Sequence, residues 1–274
     1  MIRRFSEDID LAVDYAALGF TGLRDPRQAA LSKSKRAALL EALLTECQRY
    51  IRVEFVPALR SACSSVLGAQ APWDVSVDER DHHIVRFRYP EGVTQRLTYV
   101  APQVLLELGT HAEFIPRGDF SIRSFVAQEF PEIFEVPDVP VTALLAKRTF
   151  WEKVTILHAE YHRPVEKSLP SRYSRHYYDV AAMAGTPLKS EAIADLDLLK
   201  QVVRHKEEFY PAAWAKYGLA VPGTLHLLPS EHRLAALKAD YRNTGVMIFG
   251  DPPPFEKIFE TLSKLEIELN DLGR

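Results

Sequence analysis

The chain reads as an α+β N-terminal half followed by a helical C-terminal half. Three observations predict this. Short runs that alternate apolar and polar residues crowd the first half. One long helical pattern interrupts them between Ser32 and Val66. From about Leu144 onward, helical periodicity dominates. The expected division is 1–145 and 146–274.

Ile2 to Val13 reads as a strand, because apolar and acidic residues alternate along it. Gly19 to Pro26 reads as a loop. Ser32 or Ser34 can cap the long helix, and Pro57 should kink or split it. Trp73 to Asp78 and Ile84 to Tyr89 alternate at period two, and Leu97 to Leu108 is longer and more apolar. Asp81 and the Pro90-Glu91-Gly92 stretch supply turns between them. Ile122 to Glu129 reads as a short helix or loop, and Val136 to Ala143, with Pro137 and Pro140, as an edge strand. Helices are then expected over Thr149 to Tyr161, Ser174 to Met183, Ser190 to Phe209, Ser230 to Met247 and Phe255 to Leu272.

The 274 residues are 47% hydrophobic with a net charge of −3, which excludes a wholly basic nucleic-acid-coating protein but not a local basic face. Cys47 and Cys63, the two cysteines, cannot build a disulfide framework, and a reduced cytoplasmic setting is the natural reading. No apolar run reaches the length of a membrane span, and the first residues contain no signal-peptide core.

Asp8 and Asp10, in Arg4-Phe5-Ser6-Glu7-Asp8-Ile9-Asp10-Leu11, would project from one strand face, with Ile9 and Leu11 turned to a core. Two such carboxylates can hold Mg²⁺ against a nucleoside triphosphate. Taken alone the pair is a weak signal and more often marks a solvated strand end. Glu107 adds a third acid on a predicted strand, costly to bury without a metal or a basic partner. The alternative is an exposed sheet face.

Further along, Lys147-Arg148-Thr149-Phe150-Trp151-Glu152-Lys153 opens a helix whose Phe150, Trp151, Ile156 and Leu157 form the buried side. Lys153 is placed to reach a triphosphate, or to pair with Glu152 or Glu160 on the helix surface. In Arg172-Tyr173-Ser174-Arg175-His176-Tyr177-Tyr178-Asp179, arginines and aromatics interleave. Residues 147–175 hold seven Lys/Arg against three Glu, and this excess suits phosphates. Asp179 can orient Lys153 or Arg175, or help hold a metal. His158 and His162, four apart on one helix, form half of a zinc site, but no third ligand follows at the usual spacing. There is no Walker-type loop, no G-x-S-x-G and no G-x-G-x-x-G.

These three motifs, in this order, resemble the AbiEii/AbiGii toxin family of nucleotidyltransferases. The resemblance implies a polymerase-β-like mixed sheet with helices, here incomplete, followed by a helical domain. It implies Asp8, Asp10, Lys153 and Asp179 as catalytic residues. Asp8 and Asp10 would bind the metal, with Glu107 as a third acid. Ser6, Arg148, Arg172 and Arg175 would meet nucleotide or RNA phosphates. The implied activity is Mg²⁺-dependent transfer of a nucleotide from an NTP to an RNA acceptor such as tRNA, in toxin–antitoxin or phage-abortive systems, with a separately encoded antitoxin. The family's glycine-rich phosphate-holding segment is expected about a dozen residues before the Asp-x-Asp strand. Met1 falls inside that interval. The expectation is therefore either a start assigned too late, or a truncated member that binds NTP, RNA or antitoxin with impaired turnover.

Overall fold

The computed structural model describes residues 2–6, 8–28, 30–90, 101–110 and 114–274. The chain forms two compact units, Ser6–Phe114 and a second built from Met1–Phe5 with Ile115–Arg274. The boundary expected at 145 lies inside the second unit.

The sheet unit opens with β1 (Asp8–Ala12) and then α1 (Lys33–Tyr50). Ser32 caps α1, its hydroxyl accepting from the Lys35 N–H at 3.3 Å. The helical run is divided just before Pro57. The chain widens into a π-helical segment, Ile51–Phe55, and resumes as α2 (Val56–Leu67) with Pro57 in its first turn. A proline lacks the N–H that the preceding turn would bond. Placing it at a helix start, after a locally rewound turn, removes that deficit.

The three following strands are β2 (Asp74–Val77), β3 (Ile84–Arg88) and β4 (Gln103–Gly109). The sheet order is β1-β4-β3-β2. β1 runs parallel to β4, and the other pairs are antiparallel. The first part of the predicted Leu97–Leu108 strand and the residues Glu91 and Gly92 lie outside the described residues. One sheet face packs on the helices: Val75, Val85 and Leu108 are buried with Cys47, Ile51 and Val56, and Leu11 and Leu106 lean on the same cluster. Ile9, expected in this core, is 49% exposed. It sits on the outermost strand, and the helices cover only part of that edge.

The predicted Ile2–Val13 strand is broken. Arg4 instead forms a bridge to Ile248 within the helical unit, with Phe5 N–H donating to the Met247 carbonyl and Phe249 N–H to the Arg3 carbonyl. The first residues thus belong to the helical unit.

That unit also holds a two-stranded antiparallel sheet, β5 (Arg117–Arg123) with β6 (Asp138–Leu144), joined through α3 (Phe125–Glu129). Ile122, expected in a helix or loop, is in β5. Six of the seven β5 residues are exposed, so no buried face writes an alternation into the sequence. The bundle follows: α4 (Ala146–Tyr161), α5 (Ser174–Ala184), α6 (Leu188–Ile193), α7 (Leu196–Phe209), α8 (Leu234–Thr244) and α9 (Phe255–Asp271). The helix expected from Ser190 to Phe209 divides at Asp195, whose carboxylate accepts from the Leu198 N–H and caps α7. Phe150, Trp151, Leu157, Tyr177, Val180, Met183 and Leu262 form the centre of a large apolar core. No helix among the described residues is long and apolar enough to cross a membrane.

Candidate active site

In the sheet unit, strand alternation puts Asp8 and Asp10 on one face of β1. The parallel register sets Asp8 beside Leu105 and Asp10 beside Glu107. In-register neighbours on adjacent strands lie roughly 4.8 Å apart, so the Asp10 and Glu107 side chains rise from the sheet together. Ile84 flanks Glu107 from β3. Asp10 is exposed and Asp8 half-buried. Ser6 donates its hydroxyl proton to Asp8 Oδ1 in a short hydrogen bond, which fixes that carboxylate. Glu7 lies outside the described residues.

The donor chemistry fits Mg²⁺, which takes oxygen ligands and is held by one or two carboxylates plus substrate phosphates rather than by a closed protein cage. Among the described residues, no group of three or more His, Cys, Asp or Glu is gathered as a complete cation cage. A cleft of about 530 Å³ in the same unit is lined by Leu11–Asp14, Tyr50, Phe55 and the ion-paired Glu46, Arg49 and Glu54, and does not include Asp8, Asp10 or Glu107.

In the helical unit, α4 presents Lys153 and α5 presents Asp179. Lys153 Nζ lies 2.8 Å from Asp179 Oδ2. Lys153 thus pairs with neither Glu152 nor Glu160. Asp179 has no exposed side-chain surface. Burial pushes its pKa up, but Arg4 and Lys153 outweigh burial and hold it below the usual carboxylate range. Arg4 Nε and Nη2 donate to its two oxygens at 2.7 and 2.8 Å. Both oxygens are therefore engaged by cations. Sequence reasoning missed Arg4. Its partner is 175 residues away, and no local pattern signals such a pairing.

Arg148, expected to meet phosphate, is 1% exposed. It bonds Glu152 Oε1 at 2.9 Å and the Ile115 carbonyl at 2.8 Å, bracing α4 against the chain that leads into β5. A side chain sealed this way does not present its charge to a ligand.

Arg172 and Arg175 are half-buried at the start of α5. Arg172 adopts φ 61°, a left-handed conformation that costs a residue with a Cβ about 1–2 kcal/mol. Asp240 of α8 holds it there. Its carboxylate accepts from the Arg172 N–H at 2.6 Å, the Ser174 N–H at 2.8 Å and the Ser174 hydroxyl at 2.6 Å. Asp240 is thus a cap supplied from another helix. His176 is kept neutral, its pKa pushed down to about 3 by burial and then by Lys153 and Arg175.

The half zinc site is not one. His158 is fully buried; its Nε2 donates to the Lys216 carbonyl at 3.1 Å and its Nδ1 accepts from the His226 N–H at 3.2 Å. A carbonyl can only accept and an N–H only donate, so the backbone fixes the neutral tautomer and uses both ring nitrogens.

No curated protein and no solved structure matches the chain. A family model does, over residues 1–261, described as nucleotidyl transferase AbiEii toxin of type IV toxin–antitoxin systems. With a mixed sheet that sets acids in a row and a helical unit that sets a lysine against a buried aspartate, the chain belongs to the AbiEii nucleotidyl transferase toxin family.

Proposed function

We propose that the chain transfers a nucleotide from an NTP to an RNA acceptor such as the end of tRNA, with Mg²⁺, as the toxin partner of a separately encoded antitoxin. The observation that carries this reading is the in-register placement of Asp10 beside Glu107, with Asp8 on the same face, in a member of a nucleotidyl transferase family. Asp8, Asp10 and Glu107 would hold the cation, and Ser6 would keep Asp8 in place. When bound, Mg²⁺ offsets the charge of the triphosphate. The acceptor hydroxyl attacks the α-phosphorus, pyrophosphate leaves with the electrons of the broken P–O bond, and a carboxylate of the row takes the hydroxyl proton. Lys153 meets phosphate oxygens and stabilises charge that grows as the bond breaks. Arg172 and Arg175 add attraction for nucleotide or RNA phosphates.

Radiolabel transfer from each NTP to a tRNA pool, with Mg²⁺ present, tests this. The wild-type chain labels tRNA and Asp10→Ala does not; transfer that survives Asp10→Ala overturns the assignment of the acids. A second reading is a chain that binds NTP, RNA or antitoxin without turnover. NTP binding by the wild-type chain without any labelled RNA would establish it.

A further inference from the structure

Arg4 and Lys153 converge on one buried carboxylate, Asp179. Asp179 is sealed, Arg4 is 10% exposed and Lys153 is 17% exposed. Asp179 engages Lys153 at a single contact, and an ammonium has three protons. The planar guanidinium grips both Asp179 oxygens, a geometry that a point-charge ammonium cannot reproduce. Arg4 is itself held by its main chain, through the bridge to Ile248 and the hydrogen bonds at Arg3 and Phe5.

We infer that Arg4 is a positioning residue for Lys153: by holding both Asp179 oxygens, it fixes the carboxylate that sets Lys153 toward a phosphate. This rests on the proposed function, in which Lys153 meets NTP phosphates. Arg4 touches no substrate. It fixes the rotamer of the carboxylate against which Lys153 is set. It also stands just before the Asp8-x-Asp10 strand in the chain, with only Phe5, Ser6 and Glu7 between Arg4 and Asp8.

The test measures NTP affinity and labelled transfer for wild type, Arg4→Lys and Arg4→Ala, each in the Lys153 and Lys153→Ala backgrounds. Circular dichroism checks that each variant folds, and Arg4→Lys covers the case in which Arg4→Ala does not. The expected result is a loss of about tenfold to a hundredfold for Arg4→Lys, the usual range for a residue that orients a liganding group. Because Arg4 acts through Lys153, this loss shrinks to near nothing in the Lys153→Ala background. Millimolar guanidinium restores part of the Arg4→Ala activity, which a merely structural role would not give. An equal loss in both backgrounds, or an unchanged Arg4→Lys, overturns the inference while the wild-type chain remains active. A wild-type chain that neither binds NTP nor labels RNA overturns the proposed function, and this inference with it.

Discussion

Lowering the pH from 7 to 5 tests the buried histidine of α4. Burial pushes the His158 pKa down from the ordinary 6.5 to about 4; the Lys216 carbonyl opposes this, and His162 and His226 add to it. The sign follows from proton counts. Between pH 6.5 and 4 the unfolded chain binds a proton at His158 that the folded chain does not, so stability falls as pH falls through that window. Above 6.5 the contribution is fully present, and below 4 no further loss accrues. Each pH unit inside the window costs 1.36 kcal/mol, so the drop from 6.5 to 5 removes about 2 kcal/mol. Geometry gives the same sign independently, because a proton on Nδ1 would face the His226 N–H that now donates to it at 3.2 Å. Urea unfolding at pH 7, 6, 5.5 and 5, on wild type and His158→Gln, measures it. The variant is less stable at pH 7 but loses about 2 kcal/mol less on acidification. Parallel losses for the two proteins would refute the argument. His176, also held neutral, steepens both curves alike and leaves their difference unchanged.

Asp240→Ala should cost about 2–3 kcal/mol in urea unfolding, since it orphans the Arg172 and Ser174 N–H groups and releases the left-handed turn. Asp240→Asn should keep part of that stability, and a change below half a kcal/mol for Asp240→Ala would show that the cap contributes little. Arg172→Ala and Arg175→Ala should each weaken NTP or RNA binding and lower the salt slope by about one, with folding little changed. Affinity that does not change at low salt would remove them from the phosphate-binding set.

How much of this was legible depends on where the cause lies. The acids on one strand face and the buried side of α4 follow from periodicity, because backbone geometry alone decides which side chains share a face. The pairing of Lys153 with Asp179 was one option among several, and the sequence offered no ground for choosing it over Glu152 or Glu160. The register that sets Asp10 beside Glu107 is not local information, since it depends on how β1 and β4 align. Arg148 looked like a phosphate ligand from its charge, but its role is set by the Ile115 carbonyl, 33 residues earlier. The Asp195 cap was visible as a residue type but was masked by good helix formers on both sides. His158 failed as a metal ligand because Lys216, in a left-handed turn at φ 51°, turns its carbonyl toward the ring.

The assignment of Arg4 to the helical unit has a consequence for synthesis on the ribosome. Arg4 is made before its partners: Asp179 follows 175 residues later and the Met247–Phe249 backbone later still. Contacts so distant in sequence form late, because a long loop must close first. The Lys153 centre therefore gains its Arg4 fork only after α5 has been made, and the backbone that holds Arg4 only after Phe249; a chain stalled before α5 has no acid for the fork to grip.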